Sequence, residues 1–238
     1  MNLLPKMPSP GVYELEYLYW PWGQLLELAK NLIIKEAPEQ GNVHDYMCGT
    51  GYLLHKIAIE RPDLNLSGST LEPFSYVEYA NLRYPESNVL FQDAFAYSPR
   101  NKLDVIVCTA GIHHLPRNQQ SLFVQKVAKE LRPGGLFLVG EEVIRQFSNE
   151  LERRISACEM ATALTNYAIE MEAPDSVIES AIDLFLNDVL ERGEYKLSLS
   201  MLLEMLTPFF EVNEIRRIWP TTNGSGYGDI LLECRLKK

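Results

Sequence analysis

The stretch V-H-D-Y-M-C-G-T-G-Y-L-L at residues 43–54 decides the fold of this 238-residue chain. Its apolar start predicts a strand over Val43–Met47, and Tyr52–Glu60 is predicted as a helix that ends before Pro62. Glycines stand in the turn between them, where the backbone takes a positive φ or approaches a ligand closely. A tight turn alone would also use them. Because open α/β sheets bind ligands at such turns, the stretch predicts both an α/β sheet and a binding loop.

Strands and helices alternate outward from this turn. This alternation predicts a doubly wound, mostly parallel α/β sheet that is covered by helices on both faces. A final antiparallel pair is predicted to close the sheet edge, which makes seven strands. The further strands are Leu64–Thr70, Asn88–Gln92, Asp104–Thr109, Leu136–Val139, Phe210–Ile218 and Asp229–Arg235, and the further helices are Phe74–Leu82 and Gln119–Leu131.

Two helical regions stand outside the alternation. Residues 1–36 form an N-terminal helical cap, with a helix over 12–36, and residues 145–206 form a helical insert of two or three helices before strand six. Ser176–Glu179 has the spacing of a capping box that would begin one of these helices. We expect one domain over 1–238, in which the insert is a lid over the active-site edge or, alternatively, a dimerisation surface.

Composition excludes several classes of protein. The net charge of -10 argues against a nucleic-acid binder, because phosphate contacts need a basic surface. The four cysteines lie far apart, which favours reduced thiols over disulfides or a zinc site. No apolar stretch has the length of a membrane span, and the N-terminus lacks a secretory apolar region. We therefore expect a cytoplasmic protein with no membrane or nucleic-acid partner.

The binding loop differs from a nicotinamide-binding loop. That loop requires a third glycine, whereas Tyr52-Leu53-Leu54 follow Gly51 here. Asp45 stands at the end of the preceding strand. An acid at this position suits a ligand with a positive amino group better than a pyrophosphate.

These residues resemble the first motif of class I (Rossmann-like) S-adenosylmethionine-dependent methyltransferases, D-x-G-C-G-T-G. Four later segments resemble the family's further motifs, in the same order and at the usual spacing. They are L-S-G-S-T-L-E-P at 66–73, F-Q-D-A at 91–94, L-D-V-I-V-C-T-A-G at 103–111 and L-R-P-G-G-L-F-L-V-G at 131–140. The resemblance implies a class I methyltransferase fold, S-adenosylmethionine as cofactor, S-adenosylhomocysteine as product and no metal.

The resemblance also assigns roles to matching positions. It places Gly49 and Gly51 beneath the methionine moiety of the cofactor and Asp45 at its amino group. Asp93 would hydrogen-bond the adenine amine, with Ala94 beside the ring. Ala110 and Gly111 would flank the sulfonium.

Two positions depart from the family pattern. Met47 stands where the family has its first loop glycine, so its side chain must point away from the cofactor or the loop must shift. Thr70, followed by Leu71, stands where an acid normally holds both ribose hydroxyls, and a threonine makes one neutral hydrogen bond instead. Glu72 is an alternative ligand for the ribose. We expect weaker cofactor binding than in the family at large.

Acceptor chemistry is predicted at the ends of strands four and five. His113 and His114 are candidates for a catalytic base, although one of them could equally pack the loop. Glu141, next to Glu142, is a candidate contact to the acceptor or a solvated helix start. Tyr17 and Trp20, from an aromatic cluster near the N-terminus, are candidates to cap the cofactor or line an apolar acceptor pocket, or else they pack the first helix onto the sheet.

Three functions remain open at this point. The first is methyl transfer to a small-molecule acceptor by in-line displacement, in which the enzyme mainly aligns the reacting atoms. The second keeps the fold for a non-methylating reaction such as a cyclisation, and the third is a non-catalytic binding protein. The expected partners are a small-molecule acceptor and, through the insert, a second copy of the chain.

Overall fold

A computed structural model of the chain describes residues 7–71, 73–221 and 224–237. The described residues form one seven-stranded sheet with eight α-helices around it. The strands are β1 (Asn42–Tyr46), β2 (Asn65–Thr70), β3 (Val89–Phe91), β4 (Leu103–Thr109), β5 (Leu131–Val143), β6 (Phe210–Trp219) and β7 (Gly228–Leu236). The helices are α1 (Pro10–Tyr19), α2 (Trp22–Glu36), α3 (Tyr52–Glu60), α4 (Phe74–Arg83), α5 (Arg117–Glu130), α6 (Glu150–Glu170), α7 (Asp175–Leu190) and α8 (Leu199–Leu206).

The strand order is β3-β2-β1-β4-β5-β7-β6. Strands β1 to β5 pair in parallel, and β7 runs antiparallel between β5 and β6. The predicted doubly wound, mostly parallel sheet is therefore confirmed, including its antiparallel pair. Because parallel strands end at one edge, the turns after β1, β2, β4 and β5 meet there.

Three local predictions were wrong. The helix expected over 12–36 is two helices, because Pro21 lacks an N–H and its ring disfavours helix at the preceding Trp20. Ser176–Glu179 does not cap a helix start, because α7 already begins at Asp175, after Pro174. Strand β5 is longer than Leu136–Val139, because pairing with β7 extends it through Val143.

The sheet separates the two larger buried clusters of the described residues. One joins α1, α2, α6 and α7, and includes Trp20, Leu25 and Val177. The other lies on the opposite face, under α5 and α8, and includes Phe123 and Leu202. Helix α7 of the insert thus shares its core with the N-terminal helices. Among the described helices, none is long and apolar enough to cross a bilayer.

Candidate active site

The loop after β1 has a backbone that only small residues adopt easily. Gly49 and Gly51 have φ of 54° and 73°, in the left-handed region. A Cβ on Gly49 would lie 2.9 Å from Cε1 of Tyr13, and one on Gly51 would lie 2.8 Å from Cγ2 of Val89. The loop therefore needs both glycines, and the ring of Tyr13 from α1 lies over it.

Asp45 closes the bottom of this loop. Its side chain is buried, and its Oδ1 has no hydrogen-bond partner among the described residues. Burial raises the pKa of this carboxyl well above its ordinary value. A buried, unpartnered oxygen next to a glycine loop fits the ammonium group of a bound methionine moiety, so these residues suit the cofactor that the sequence predicts.

Met47, which stands where the family motif has its first loop glycine, takes a left-handed conformation with φ of 56°. A Cβ on Gly111 would meet Met47 Cε at 3.0 Å and Met47 Cβ at 3.2 Å. The side chain packs against the cluster under α5, whereas Tyr13 approaches the loop from α1. The methionine at position 47 therefore strains the backbone of the loop, and its side chain points away from Tyr13 rather than into the loop.

The ends of β2 and β3 hold the residues predicted at the ribose and adenine. Thr70 is buried at the end of β2, and Leu71 beside it is half-exposed. Glu72 lies outside the described residues. Asp93 accepts hydrogen bonds at Oδ1 from the backbone N–H groups of Phe95, at 2.7 Å, and Ala96, so its carboxylate also shapes the turn after β3. Buried Ala94 lies in that turn.

The turn after β4 is held by β5. The N–H of Ala110 donates to the carbonyl of Gly140, at 2.9 Å, with Ala110 at φ 47°. Glu141 accepts at Oε1 from the N–H of Ile112, at 2.8 Å, and its Oε2 lies 2.5 Å from Nδ1 of His113. Both oxygens of Glu141 therefore position the short helical turn Ile112–His114.

His113 is enclosed between carboxylates. Its Nε2 lies 3.1 Å from Oε2 of Glu194 and 3.4 Å from Nζ of Lys196. Burial and Lys196 act to lower the pKa of His113, but Glu141 and Glu194 outweigh them and raise it to about 10. A histidine held between these two carboxylates, with its pKa raised in this way, is not a free base near neutral pH, whereas the side chain of His114 is 36% exposed.

A buried ionic cluster extends below this turn. Nζ of Lys196, which is fully buried, donates to Glu142 and lies 3.5 Å from Oδ1 of Asp188. Burial raises the pKa of Asp188 to about 7, although Lys196 acts to lower it. Asp229 of β7 lies in the same cluster, and burial raises its pKa as well.

Ligand atoms of His113, His114 and Glu194 lie within 4.8 Å of one another, which is a spacing that a metal could use. However, Lys196 places its ammonium 3.4 Å from Nε2 of His113. A divalent cation at that nitrogen would face this fixed positive charge at short range, so the cluster is better suited to protons than to a metal.

A cavity of about 90 Å³ lies above these groups, between α1, the turn after β4, the end of β5 and α7. It brings together the predicted residues Trp20, Ala110, His113 and His114. Tyr17 and Glu141 do not line it, because Tyr17 packs on Tyr52, with ring centroids 4.9 Å apart, and Glu141 lies behind His113. The other lining residues are Met7, Pro8, Tyr13, Glu16, Trp22, Glu142, Ser180, Leu184, Asn187 and Glu194.

Two buried acids of this wall were missed by the sequence interpretation. Glu16 shares a helical face with Tyr13, Tyr17 and Trp20, and an acid within an aromatic stripe was a signal that could have found it. Glu194 had no such signal. It follows α7 by a short loop, and its contact with His113 joins residues far apart in the chain.

Comparisons with known proteins agree with this geometry. Residues 43–135 match a protein-family model described as a methyltransferase domain. A curated relative, the carboxy-S-adenosyl-L-methionine synthase of Campylobacter lari, is 26% identical over 131 residues, which are 52% of this chain and 53% of the relative. The chain thus matches about half the length of that relative.

Solved structures show the same fold. The N-methyltransferase NodS from Bradyrhizobium japonicum superposes with a TM-score of 0.56 at 16% identity, over 91% of this chain and 94% of that chain. The plantazolicin methyltransferase BpumL, in complex with a desmethyl analogue and S-adenosylhomocysteine, superposes with a TM-score of 0.63 at 12% identity, over 95% and 88%. At such identities the likeness is one of fold.

Proposed function

We propose that this chain, which has the fold and the methyltransferase domain of class I S-adenosylmethionine-dependent methyltransferases, transfers a methyl group from S-adenosylmethionine to a small-molecule acceptor. The observation that carries the proposal is the cradle formed by Asp45 and Gly49 under Tyr13. It combines an unpartnered buried carboxylate oxygen of Asp45 with a glycine whose added Cβ would lie 2.9 Å from Cε1 of Tyr13. The cavity for the acceptor begins next to this cradle, at Ala110.

The residues of the chain mainly align the reactants. When bound, S-adenosylmethionine supplies a methyl carbon that is activated by a positively charged sulfur. Asp45 would hold the amino group, and the turn at Ala110 would face the sulfonium end. The acceptor in the cavity would then be placed for in-line attack, which is catalysis by proximity and orientation. For a hydroxyl acceptor, His114 is the better candidate for a base, because His113 already holds its proton between two carboxylates.

A non-methylating reaction is the second candidate. It is favoured by the name of the Campylobacter lari relative, which makes carboxy-S-adenosyl-L-methionine, and by the departures at Met47 and Thr70. The cavity wall favours methyl transfer instead. Among the described residues, Lys196 is already paired with Glu142, and His113 with Glu141 and Glu194, so neither cation is free to bind the carboxylate of such a co-substrate.

Mass spectrometry and calorimetry test the proposal together. We expect S-adenosylmethionine or S-adenosylhomocysteine to co-purify with the chain, and titration with S-adenosylhomocysteine to show saturable binding. A methyl-release assay over a panel of small acceptors should give a methylated product. Carboxy-S-adenosylmethionine in place of that product would support the second candidate. A chain that binds neither nucleoside would be a non-catalytic binding protein.

The helical insert supports two subsidiary proposals. Helix α7 packs on α1 and supplies three residues of the cavity wall, which supports a lid over 145–206 that closes on the cap over 1–36 within a single domain. The exposed apolar residues of the insert, including Ile155 on α6 and Ile182 on α7, support a homodimer. Light scattering of Ile155→Glu against wild type would test that dimer.

A cytoplasmic location also remains a proposal. All four cysteines are free, and three of them are buried, which fits a reducing compartment. Fractionation of the native cells would test it.

A further inference from the structure

Three glutamates face the acceptor cavity, and they differ in whether a cation lies beside them. Glu142 is paired with Lys196, and Glu194 lies against His113 and His114. Glu16 differs from both, because no cation pairs with it within the part of the chain that the structure describes. Its Oε1 accepts a hydrogen bond from the hydroxyl of Ser180, at 2.5 Å.

Glu16 lies where an ionised carboxylate without a cation beside it is costly. The residue is 4% exposed and lines the cavity from α1. Burial raises the pKa of Glu16 to about 8, the Ser180 hydrogen bond opposes this, and Glu142 raises it further. Buried carboxyls with raised pKa values that face a cleft are frequent at functional sites. A positive group in the cavity would restore the ionised carboxylate.

The rest of the wall also suits a cation. The rings of Tyr13, Trp20 and Trp22 line the same cavity, and aromatic faces attract ammonium groups. Trp20 is more than nine-tenths buried, and its Nε1 has no partner among the described residues. This N–H is a donor and cannot bind an ammonium, so it would serve a separate acceptor atom of the ligand.

We propose that the methyl acceptor is an amine, which enters the cavity as a cation against Glu16 and gives its proton to that carboxylate before methylation. This inference rests on the proposed methyl transfer. In the first step an N–H bond of the ammonium breaks, and the proton moves to a Glu16 oxygen. The free lone pair then forms the N–C bond, the C–S bond breaks, and its electron pair stays on sulfur. The products are a methylated ammonium and S-adenosylhomocysteine.

Three probes of similar shape and different charge test the proposal in calorimetry with the chain saturated by S-adenosylhomocysteine. They are 2-phenylethylamine, 2-phenylethanol and phenylacetate. We expect the amine to bind at least about tenfold more tightly than the other two. Equal or tighter binding of the alcohol or of the acid would overturn the proposal.

Variants test whether Glu16 is the residue that binds the amine. Glu16→Gln should remove the preference for the amine while S-adenosylhomocysteine binding stays unchanged. Glu14→Gln is the matched control on the same helix, because Glu14 contacts Tyr79 and Tyr84 outside the cavity. Amine binding that survives Glu16→Gln would contradict the assignment. Ser180→Ala, which removes only the hydroxyl on Glu16, gives a second test and should weaken amine binding less.

The outcome for the methyl donor is separate. If S-adenosylhomocysteine does not bind, methyl transfer is refuted whatever the amine does. If it binds and the amine preference is absent, the amine proposal alone fails.

Discussion

The cofactor half and the acceptor half of the site are built in opposite ways. In the cofactor half, the seven consecutive residues Asp45–Gly51 supply the cradle, and the one buried acid has an unpartnered oxygen. In the acceptor half, His113, Glu141 and Lys196 come from separate elements, and an ionic network buries both signs of charge. Backbone shape makes the first half, and buried charge, most of it paired, makes the second.

Because of this difference, substitutions in the two halves should affect different quantities: ligand affinity in one and the free energy of unfolding in the other. A cradle of backbone and one unpaired acid can change without loss of core contacts, so substitutions there should weaken ligand binding first. A buried cation between carboxylates cannot be removed without leaving those carboxylates uncompensated. Substitutions in the acceptor half should therefore reduce the free energy of unfolding first.

The largest expected effect is in the acceptor half. Lys196→Met removes the fully buried ammonium beside Glu142 and Asp188. We expect a loss of about 3–5 kcal/mol in the free energy of unfolding, measured by urea denaturation. Lys35→Met is the control, because Lys35 is mostly exposed, and it should change stability by less than about 1 kcal/mol. A similarly small loss at Lys196 would mean that proton uptake by the cluster replaces the lysine.

The next effect tests the close approach in the cofactor half. Gly49→Ala puts a Cβ at a positive φ and 2.9 Å from the Tyr13 ring, whereas Gly134→Ala has a positive φ with no neighbour within 4 Å. Both should lose about 1–2 kcal/mol through backbone strain. Only Gly49→Ala should also lose S-adenosylhomocysteine affinity, by more than about tenfold in calorimetry. Equal affinities in the two variants would show that the loop does not approach the ligand.

A third prediction concerns the buried acid. Asp45→Asn removes the charge that holds the cofactor amino group, so affinity should fall by about 10- to 100-fold. Since burial raises the folded-state pKa of Asp45, ionisation opposes folding at any pH above its unfolded pKa. Stability at neutral pH should therefore be unchanged or higher. Asp63→Asn, which changes an ion pair with Arg61, should leave affinity unchanged. A destabilised Asp45→Asn with wild-type affinity would reverse the assignment.

The smallest effect is expected at Met47. Met47→Gly relieves a positive φ worth about 1–2 kcal/mol but loses packing under the turn after β4 and adds backbone freedom in the unfolded chain. We expect a net stability change below about 1 kcal/mol and nearly unchanged cofactor affinity. A gain of tenfold or more in affinity would show instead that the Met47 side chain obstructs the cofactor.

The sequence by itself determined the sheet and the cofactor loop. Alternating apolar strands and helices specify a parallel sheet, and the Asp45–Gly51 cradle lies within one strand-to-helix turn, so both are local patterns. The exact ends of some strands and helices were not predicted. Strand β5 is longer than predicted because β7 pairs with it, and the helix predicted over 12–36 divides at Pro21. Roles at Thr70, Asp93 and the other predicted contacts stay predictions until a ligand complex tests them.

Only the tertiary structure decided the acceptor half. The histidines were visible as a pair in the sequence, but which one keeps a free nitrogen depends on Glu141 and Glu194, which reach His113 from other elements. The role of Glu16 depends on burial beneath α7 and on the absence of a nearby cation among the described residues. Protonation states in a buried site are set by every charge within a few ångströms, and no local sequence pattern specifies which distant residues will supply those charges.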